Sequence, residues 1–216
     1  MKIKEAFNIG EGHGRLWFMS DLHYNHANVI KFNKRPFETV EEMNEYIEEE
    51  LAVKVQHNDV IFDMGDLFWR TSENKMKDVI KLAGPKEWYK ILGNHDKYDV
   101  YKKSYIGSMF TQIADLMDIN VNYLGKNYKL MLCHYPMISW YQKSRGSFGI
   151  FGHCHGNIDW LNNESPDLRV DVGFDGELAK KVGSFLISFE DIFEHMKQKA
   201  GTDDFFHYVQ SKCKEL

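Results

Sequence analysis

Val60-Ile61-Phe62-Asp63-Met64-Gly65-Asp66 decides the fold. A short, apolar, β-prone run ends in a glycine and a carboxylate, the pattern of a buried strand that turns sharply at its end. Gly65 permits the tight turn and leaves Asp66 at the strand's carboxyl end. In open α/β sheets that end is where ligands sit. The same grammar recurs along the chain. Leu16-Trp17-Phe18-Met19-Ser20 runs into Asp21-Leu22-His23, and Trp88-Tyr89-Lys90-Ile91-Leu92 into Gly93-Asn94-His95-Asp96. Lys129-Leu130-Met131-Leu132-Cys133 runs into His134, and Phe148-Gly149-Ile150-Phe151 into Gly152-His153-Cys154-His155. Apolar runs that each deliver metal-type ligands at their ends point to a metal centre. A carboxylate can bridge two cations; Asp66 is the candidate shared ligand, with the other ligands divided between two metals.

The composition sets bounds. A chain of 216 residues is expected to form a single domain over residues 1–216. It is 43% hydrophobic and 14% aromatic, enough for a sizeable core. A net charge of -5 argues against an electrostatic binder of long nucleic acid. It leaves room for small phosphorylated substrates, because bound cations reverse the local field. Three cysteines and no secretory signal fit a reducing cytoplasm. No apolar run approaches the ~18 residues of a membrane span.

Spacing predicts a helix over residues 39–55, with Thr39 and Glu42 as a capping box and Val40, Met43, Ile47 and Leu51 as its apolar stripe. Further helices are expected from His26, over residues 72–82 and from about Glu190. The first half therefore reads β-α-β-α-β with parallel strands and right-handed crossovers. The second half reads as a more antiparallel sheet, with strands over residues 113–124, 128–133, 148–151, 168–172 and 184–189. The first residues form an edge strand, a hairpin arm or a frayed end. The tail over residues 201–216, with Phe205, Phe206, Tyr208 and Val209, is expected to pack on the core or on a neighbouring subunit.

In an extended chain, residues two apart face the same way. Asp21 and His23 can then grip one cation, and His153 and His155 likewise, with Cys154 turned to the core. The paired-cysteine spacing of a structural zinc site is absent. Mixed carboxylate, amide and imidazole ligands suit Mn²⁺, Fe²⁺ or Zn²⁺. Two such ions about 3.5–4 Å apart activate a bridging hydroxide and clamp the oxygens of a phosphoryl displacement.

Asp21-x-His23, Gly65-Asp66, Gly93-Asn94-His95-Asp96, His134 and Gly152-His153-x-His155 resemble the five signature blocks of the calcineurin-like metallophosphoesterases. Residues 20–37, with His26 and Arg35-Pro36-Phe37, are similar to the small bacterial and phage members. The resemblance implies an α/β fold, a four-layer αββα sandwich of two mixed sheets flanked by helices. It implies that Asp21, His23, Asp66 and His155 hold one metal and that Asp66, Asn94, His134 and His153 hold the other. His95 then serves as the catalytic donor or acid, with Asp96 orienting its ring. The protein-phosphatase branch has Asp-Arg-Gly after its Gly-Asp block, where this chain has Leu67-Phe68-Trp69-Arg70, so a phosphoprotein substrate is disfavoured.

Outside the blocks, His26 either lines the pocket or simply opens a helix. Arg35 could bind substrate phosphate through its planar fork, or form a surface ion pair. Residues 139–146 mix aromatic and basic side chains and could stack a base, or serve as an exposed connector. Asp171, Gly173 and Asp175 could support the site or its turn. The expected activity is metal-dependent hydrolysis of a small or nucleotide-like phosphate ester. The alternatives are a nuclease on DNA or RNA ends, which shares the chemistry, and a catalytically idle interaction scaffold.

Overall fold

A computed structural model describes residues 2–201 of the chain. The expected packing of the C-terminal tail falls on residues 202–216, outside that range. Strands and helices are numbered in chain order: β1 Lys2–Asn8, β2 Leu16–Met19, α1 Ala27–Asn33, α2 Val40–Lys54, β3 Val60–Asp63, α3 Glu73–Ala83, β4 Glu87–Ile91 and α4 Tyr98–Lys103. They continue as β5 Gln112–Ala114, β6 Leu116–Tyr123, β7 Lys126–Cys133, β8 Phe148–Phe151, α5 Asp159–Glu164, β9 Arg169–Asp171, α6 Glu177–Val182, β10 Ile187–Ser188 and α7 Phe189–Ala200.

Two five-stranded sheets result, in the orders β10-β2-β3-β4-β5 and β1-β6-β7-β8-β9. In the first, β2, β3, β4 and β5 run parallel and β10 closes the edge antiparallel. Alternation along these strands serves two interiors. Leu16, Phe18, Val60, Phe62, Tyr89 and Ile91 face the second sheet, where they meet Ile119, Val121, Leu130, Leu132, Phe148 and Ile150. Trp17, Met19, Ile61 and Trp88 face α1, α2 and α3, which contribute Val29, Met43, Ile47, Leu51, Val79 and Ile80. Both faces are buried, which is why the strands read as near-continuous apolar runs. Helices α5 and α6 pack on β9, and α6 and α7 on β10.

The caps follow local chemistry. The Thr39 and Ser72 hydroxyls accept from the backbone amides of Glu42 and Lys75 and start α2 and α3. The expected Thr39–Glu42 capping box is only half formed, because the Glu42 carboxylate accepts from the amide of Glu38 instead. A complete box starts α7, where Ser188 and Asp191 satisfy each other's amides.

Two expectations fail. The second sheet is no more antiparallel than the first: β6 and β7 form its one antiparallel pair among the described residues, as β10 and β2 do in the first, while β1–β6, β7–β8 and β8–β9 are parallel. The strand expected over residues 113–124 is two strands in different sheets, β5 beside β4 and β6 between β1 and β7, with Asp115 as the hinge between them. The segment over residues 139–146 leaves Tyr141 exposed but not Trp140. Trp140 is buried against Gly149, its indole N–H donates to Ser147, and Lys143 pairs with Asp167.

Candidate metal centre

The carboxyl ends of β2, β3 and β4 from one sheet and of β7 and β8 from the other converge, and the five sequence blocks follow them. Backbone bonds lace this edge together. The amides of Asp21 and His23 donate to the carbonyls of Gly65 and Asp66, and those of Gly152 and Phe174 to His134 and Ser20. Gly65, at φ 117°, has no room for a side chain: a Cβ would stand 2.4 Å from His134 Nδ1. At Gly152 a Cβ would stand 2.4 Å from an Asp21 carboxylate oxygen. These glycines let ligands from different strands touch.

The ligands do not converge by strand alternation as expected. Asp21, His23, Asp66, His153 and His155 all take left-handed backbone conformations, with φ between 50° and 72°. Each costs on the order of 1 kcal/mol for a residue with a Cβ. Tight left-handed turns, rather than extended segments, aim these side chains inward, and such strain concentrates at functional sites.

The geometry brings the residues together in two overlapping groups, Asp21 with His23 and His155, and Asp21 with Asp66 and His134. Asp21 Oδ1 lies 4.0 Å from His23 Nε2 and 3.8 Å from His155 Nε2. Asp66 Oδ2 lies 3.9 Å from His23 Nε2 and 3.4 Å from His134 Nε2. Asn94 Oδ1 is 3.1 Å from His134 Nε2. His153 stands beside His134, ring centroids 5.1 Å apart, and its backbone amide donates to Asp21 Oδ2. Asp21 is the carboxylate common to both groups, and Asp66 reaches from the second toward His23 of the first.

A cation fits this arrangement. His134 Nδ1–H donates to the Met64 carbonyl at 2.9 Å and His155 Nδ1–H to Asp175 Oδ2 at 2.7 Å. Those bonds fix the tautomers that turn both Nε2 lone pairs into the centre. In the neutral imidazoles those lone pairs face carboxylate and amide oxygens, acceptor against acceptor, an opposition that a proton on Nε2 or a bound cation relieves. Asp21 Oδ1 is buried with no hydrogen-bond donor. A buried carboxylate oxygen without a partner is costly and calls for a proton or a cation.

Protonation reflects the same imbalance. Burial raises the pKa of Asp21 and lowers that of His23 to about 3, which keeps the His23 imidazole neutral, its ligand form. Burial would raise Asp66 too, but the His134 hydrogen bond and charge and the His95 amide hold it well below the usual range. Burial works against charge on His134 and His155; Asp66 and Asp175 respectively overcome it and raise both. His153 is lowered by burial and by His134.

His95 is exposed at the mouth, its ring 5.3 Å from that of His23 and 5.0 Å from Trp69, and its amide holds Asp66 Oδ1 at 2.8 Å. His26 stacks on Trp69 at 4.1 Å and contacts His23 at 5.5 Å, so it lines the cleft as well as preceding α1.

Two assignments are corrected. Asp96 does not orient the His95 ring. Its Oδ2 accepts from the amides of Asp66 and Gly93 and pairs with Lys90, so it positions the loop that carries Asp66. Arg35 is not open to substrate phosphate. Its side chain is 1% exposed and forks onto Asp175, Nε to Oδ1 and Nη2 to Oδ2 at 2.8 Å each. Two further N–H groups bind the carbonyls of Leu22 and Asp21 at 2.7 Å. Arg35 thus braces the Asp21 block and, through Asp175, His155.

Sequence reasoning missed Lys90. It is fully buried under the centre, 2.8 Å from both Asp63 and Asp96. The available signal was a lone charge inside a strand buried on both faces, which requires charged partners.

Two packed mixed sheets with a carboxylate–imidazole centre at their strand ends define a class, the metallophosphoesterase sandwich. The family model described as calcineurin-like phosphoesterase matches residues 14–175, and the chain belongs to that family. An uncharacterized protein of Methanocaldococcus jannaschii, MJ1445, is 33% identical over 163 residues, 73% of this chain and 81% of its own. The crystal structure of AQ665 from Aquifex aeolicus, a protein of unknown function, superposes with a TM-score of 0.59. It is 21% identical and covers 84% of this chain and 99% of its own, a likeness of fold. Among the described residues no helix is long and apolar enough to cross a membrane.

Proposed function

We propose that the protein hydrolyses small or nucleotide-like phosphate esters, mono- or diesters, with two divalent ions bound at its strand ends. Asp21, His23, Asp66 and His155 would hold one ion, and Asp66, Asn94, His134 and His153 the other. The observation that carries this reading is the convergence of Asp21, Asp66 and three imidazole Nε2 atoms, with Asp21 Oδ1 buried and without a donor. Divalent ions bound there supply a lowered pKa for water and a positive clamp on phosphoryl oxygens.

The chain's own residues do the rest. The His95 amide and the braced loop fix Asp66, and Asp175 with Arg35 fixes His155. Such preset geometry spares reorganisation during the reaction. His26 and Trp69 stack on each other and form one wall of the cleft. The exposed His95 imidazole gives its proton to the departing ester oxygen as the P–O bond breaks, and regains one from the attacking water. The mixed donor set admits Mn²⁺, Fe²⁺ or Zn²⁺.

The test is hydrolysis of 4-nitrophenyl phosphate and bis(4-nitrophenyl) phosphate with Mn²⁺, with and without chelator. Turnover that needs the metal is expected. His95→Ala should retain bound metal and lose roughly 10²–10⁴-fold in kcat. A His95→Ala protein that bound no metal would refute the acid role. No metal-dependent turnover of either ester by the wild type would refute the activity.

A further inference from the structure

Beside His95 lies a second cavity, of about 60 Å³, bordered by Arg70, Lys97, Phe68, Met76 and Val100. One probe sphere per water, ~10–15 Å³, gives room for a few waters or for one carboxylate or phosphoryl group. Arg70 and Lys97 are exposed, and neither has a carboxylate partner among the described residues. The Arg70 guanidinium leans over Trp69, 5.7 Å from the ring centroid. Arg70 also sits at φ 45°, a left-handed position that favours glycine, yet an arginine occupies it. Asp96 borders the cavity too; its Oδ2 is engaged by Lys90 and two backbone amides, while its Oδ1 is buried beside the Tyr101 side chain without a hydrogen-bond donor. The solvent-exposed charges at this cavity are the positive ones, Arg70 and Lys97, since the Asp96 side chain is 1% exposed, on a chain whose net charge is -5.

His95 divides the cavity from the metal centre, since its ring also contacts His23. An acid must come within about 2.6–3.2 Å of the leaving oxygen. With the phosphoryl group at the ligands and the proton on His95, the leaving alcohol departs past His95, toward Arg70 and Lys97. We infer that this cavity is a leaving-group subsite for an anion: the substrates are phosphate esters whose alcohol carries a carboxylate or a second phosphate. The reaction is R–O–PO₃²⁻ + H₂O → R–OH + HPO₄²⁻, in which R keeps its negative group and that group rests against the two cations. This inference rests on the phosphoesterase reading and on His95 as acid.

Two 4-nitrophenol derivatives test it. The esters 4-nitrophenyl phosphate and 3-carboxy-4-nitrophenyl phosphate differ by one carboxylate. The wild type should prefer the carboxylated ester about tenfold in kcat/KM, chiefly through KM, the worth of one charge-assisted hydrogen bond. In Arg70→Gln/Lys97→Gln the ratio should fall to about one. Equilibrium dialysis of the two free phenols against the protein as purified reads the subsite without turnover. The carboxylated phenol should bind about tenfold tighter to the wild type, a preference lost in the double variant and at high salt. Equal binding of both phenols, or a preference that survives in the double variant, overturns the subsite. A dialysis preference in a protein that hydrolyses neither ester leaves the subsite standing and sinks the phosphoesterase reading. Equal turnover of both esters without a dialysis preference does the reverse.

Discussion

Lys90→Met isolates the charge buried beneath the metal centre. In the wild type the ammonium lies 2.8 Å from Asp63 and 2.8 Å from Asp96, and all three side chains are 1% exposed or less. Methionine fills similar space but leaves two buried carboxylates facing each other without a counter-charge. Breaking one partner out of a buried ion pair costs roughly 3–5 kcal/mol. At roughly 2–4 °C per kcal/mol for a chain of this size, Tm should fall by about 6–20 °C. The loss also depends on pH. Burial already raises Asp63 to about 6, with the Lys90 charge holding it down. Without Lys90 its folded pKa rises further, above its unfolded value near 3.8. A raised folded pKa means that the protonated form stabilises the fold at low pH and that this stability is lost as pH rises through the folded value. Urea unfolding followed by tryptophan fluorescence should therefore show a smaller deficit for Lys90→Met at pH 5 than at pH 8. Lys90→Met/Asp63→Leu, which removes one of the stranded charges, should recover part of the loss. A single variant as stable as the wild type, or a deficit independent of pH, would refute the reasoning.

Three further outcomes follow from the same geometry. Asp175→Asn removes the carboxylate that orients His155 and pairs with Arg35, and should weaken metal binding roughly 10–100-fold, read by isothermal titration with Mn²⁺. Gly65→Ala puts a methyl group 2.4 Å from His134 Nδ1 at φ 117°; it should lower both stability, by more than about 1 kcal/mol, and metal occupancy, read by urea unfolding and elemental analysis. Adding Mn²⁺ at about 100 times its Kd should stabilise the wild type by about 2.7 kcal/mol in urea unfolding, an effect that chelator reverses.

Much of the site was legible because each ligand block directly follows an apolar run, and strand ends are where an α/β sheet collects ligands. The strands at Leu16–Met19, Val60–Asp63 and Phe148–Phe151 were readable for the same reason: burial on both faces writes an apolar run into the sequence. The partner of Arg35 lies 140 residues away at Asp175, so no local pattern distinguishes this brace from an exposed arginine beside a proline. Lys90 was hidden inside a run that otherwise reads as core. The break between β5 and β6 was invisible because one residue, Asp115, carries the chain from one sheet to the other without a turn signal. Alternation also misdescribed how Asp21 and His23 converge, since left-handed backbone at both positions replaces the extended geometry that the argument assumes. Helix α4 and the 3-10 turn over Tyr105–Met109 that follows it went unread because each is too short to show a period.

The central claim is that two cations share the centre through Asp66. Equilibrium titration of metal-free protein with Mn²⁺, read by elemental analysis after gel filtration, addresses it most directly. The account predicts two ions per chain in the wild type and the loss of both in an Asp66→Ala variant that still folds. A wild type that binds no ion, or an Asp66→Ala protein that still holds two, would contradict it.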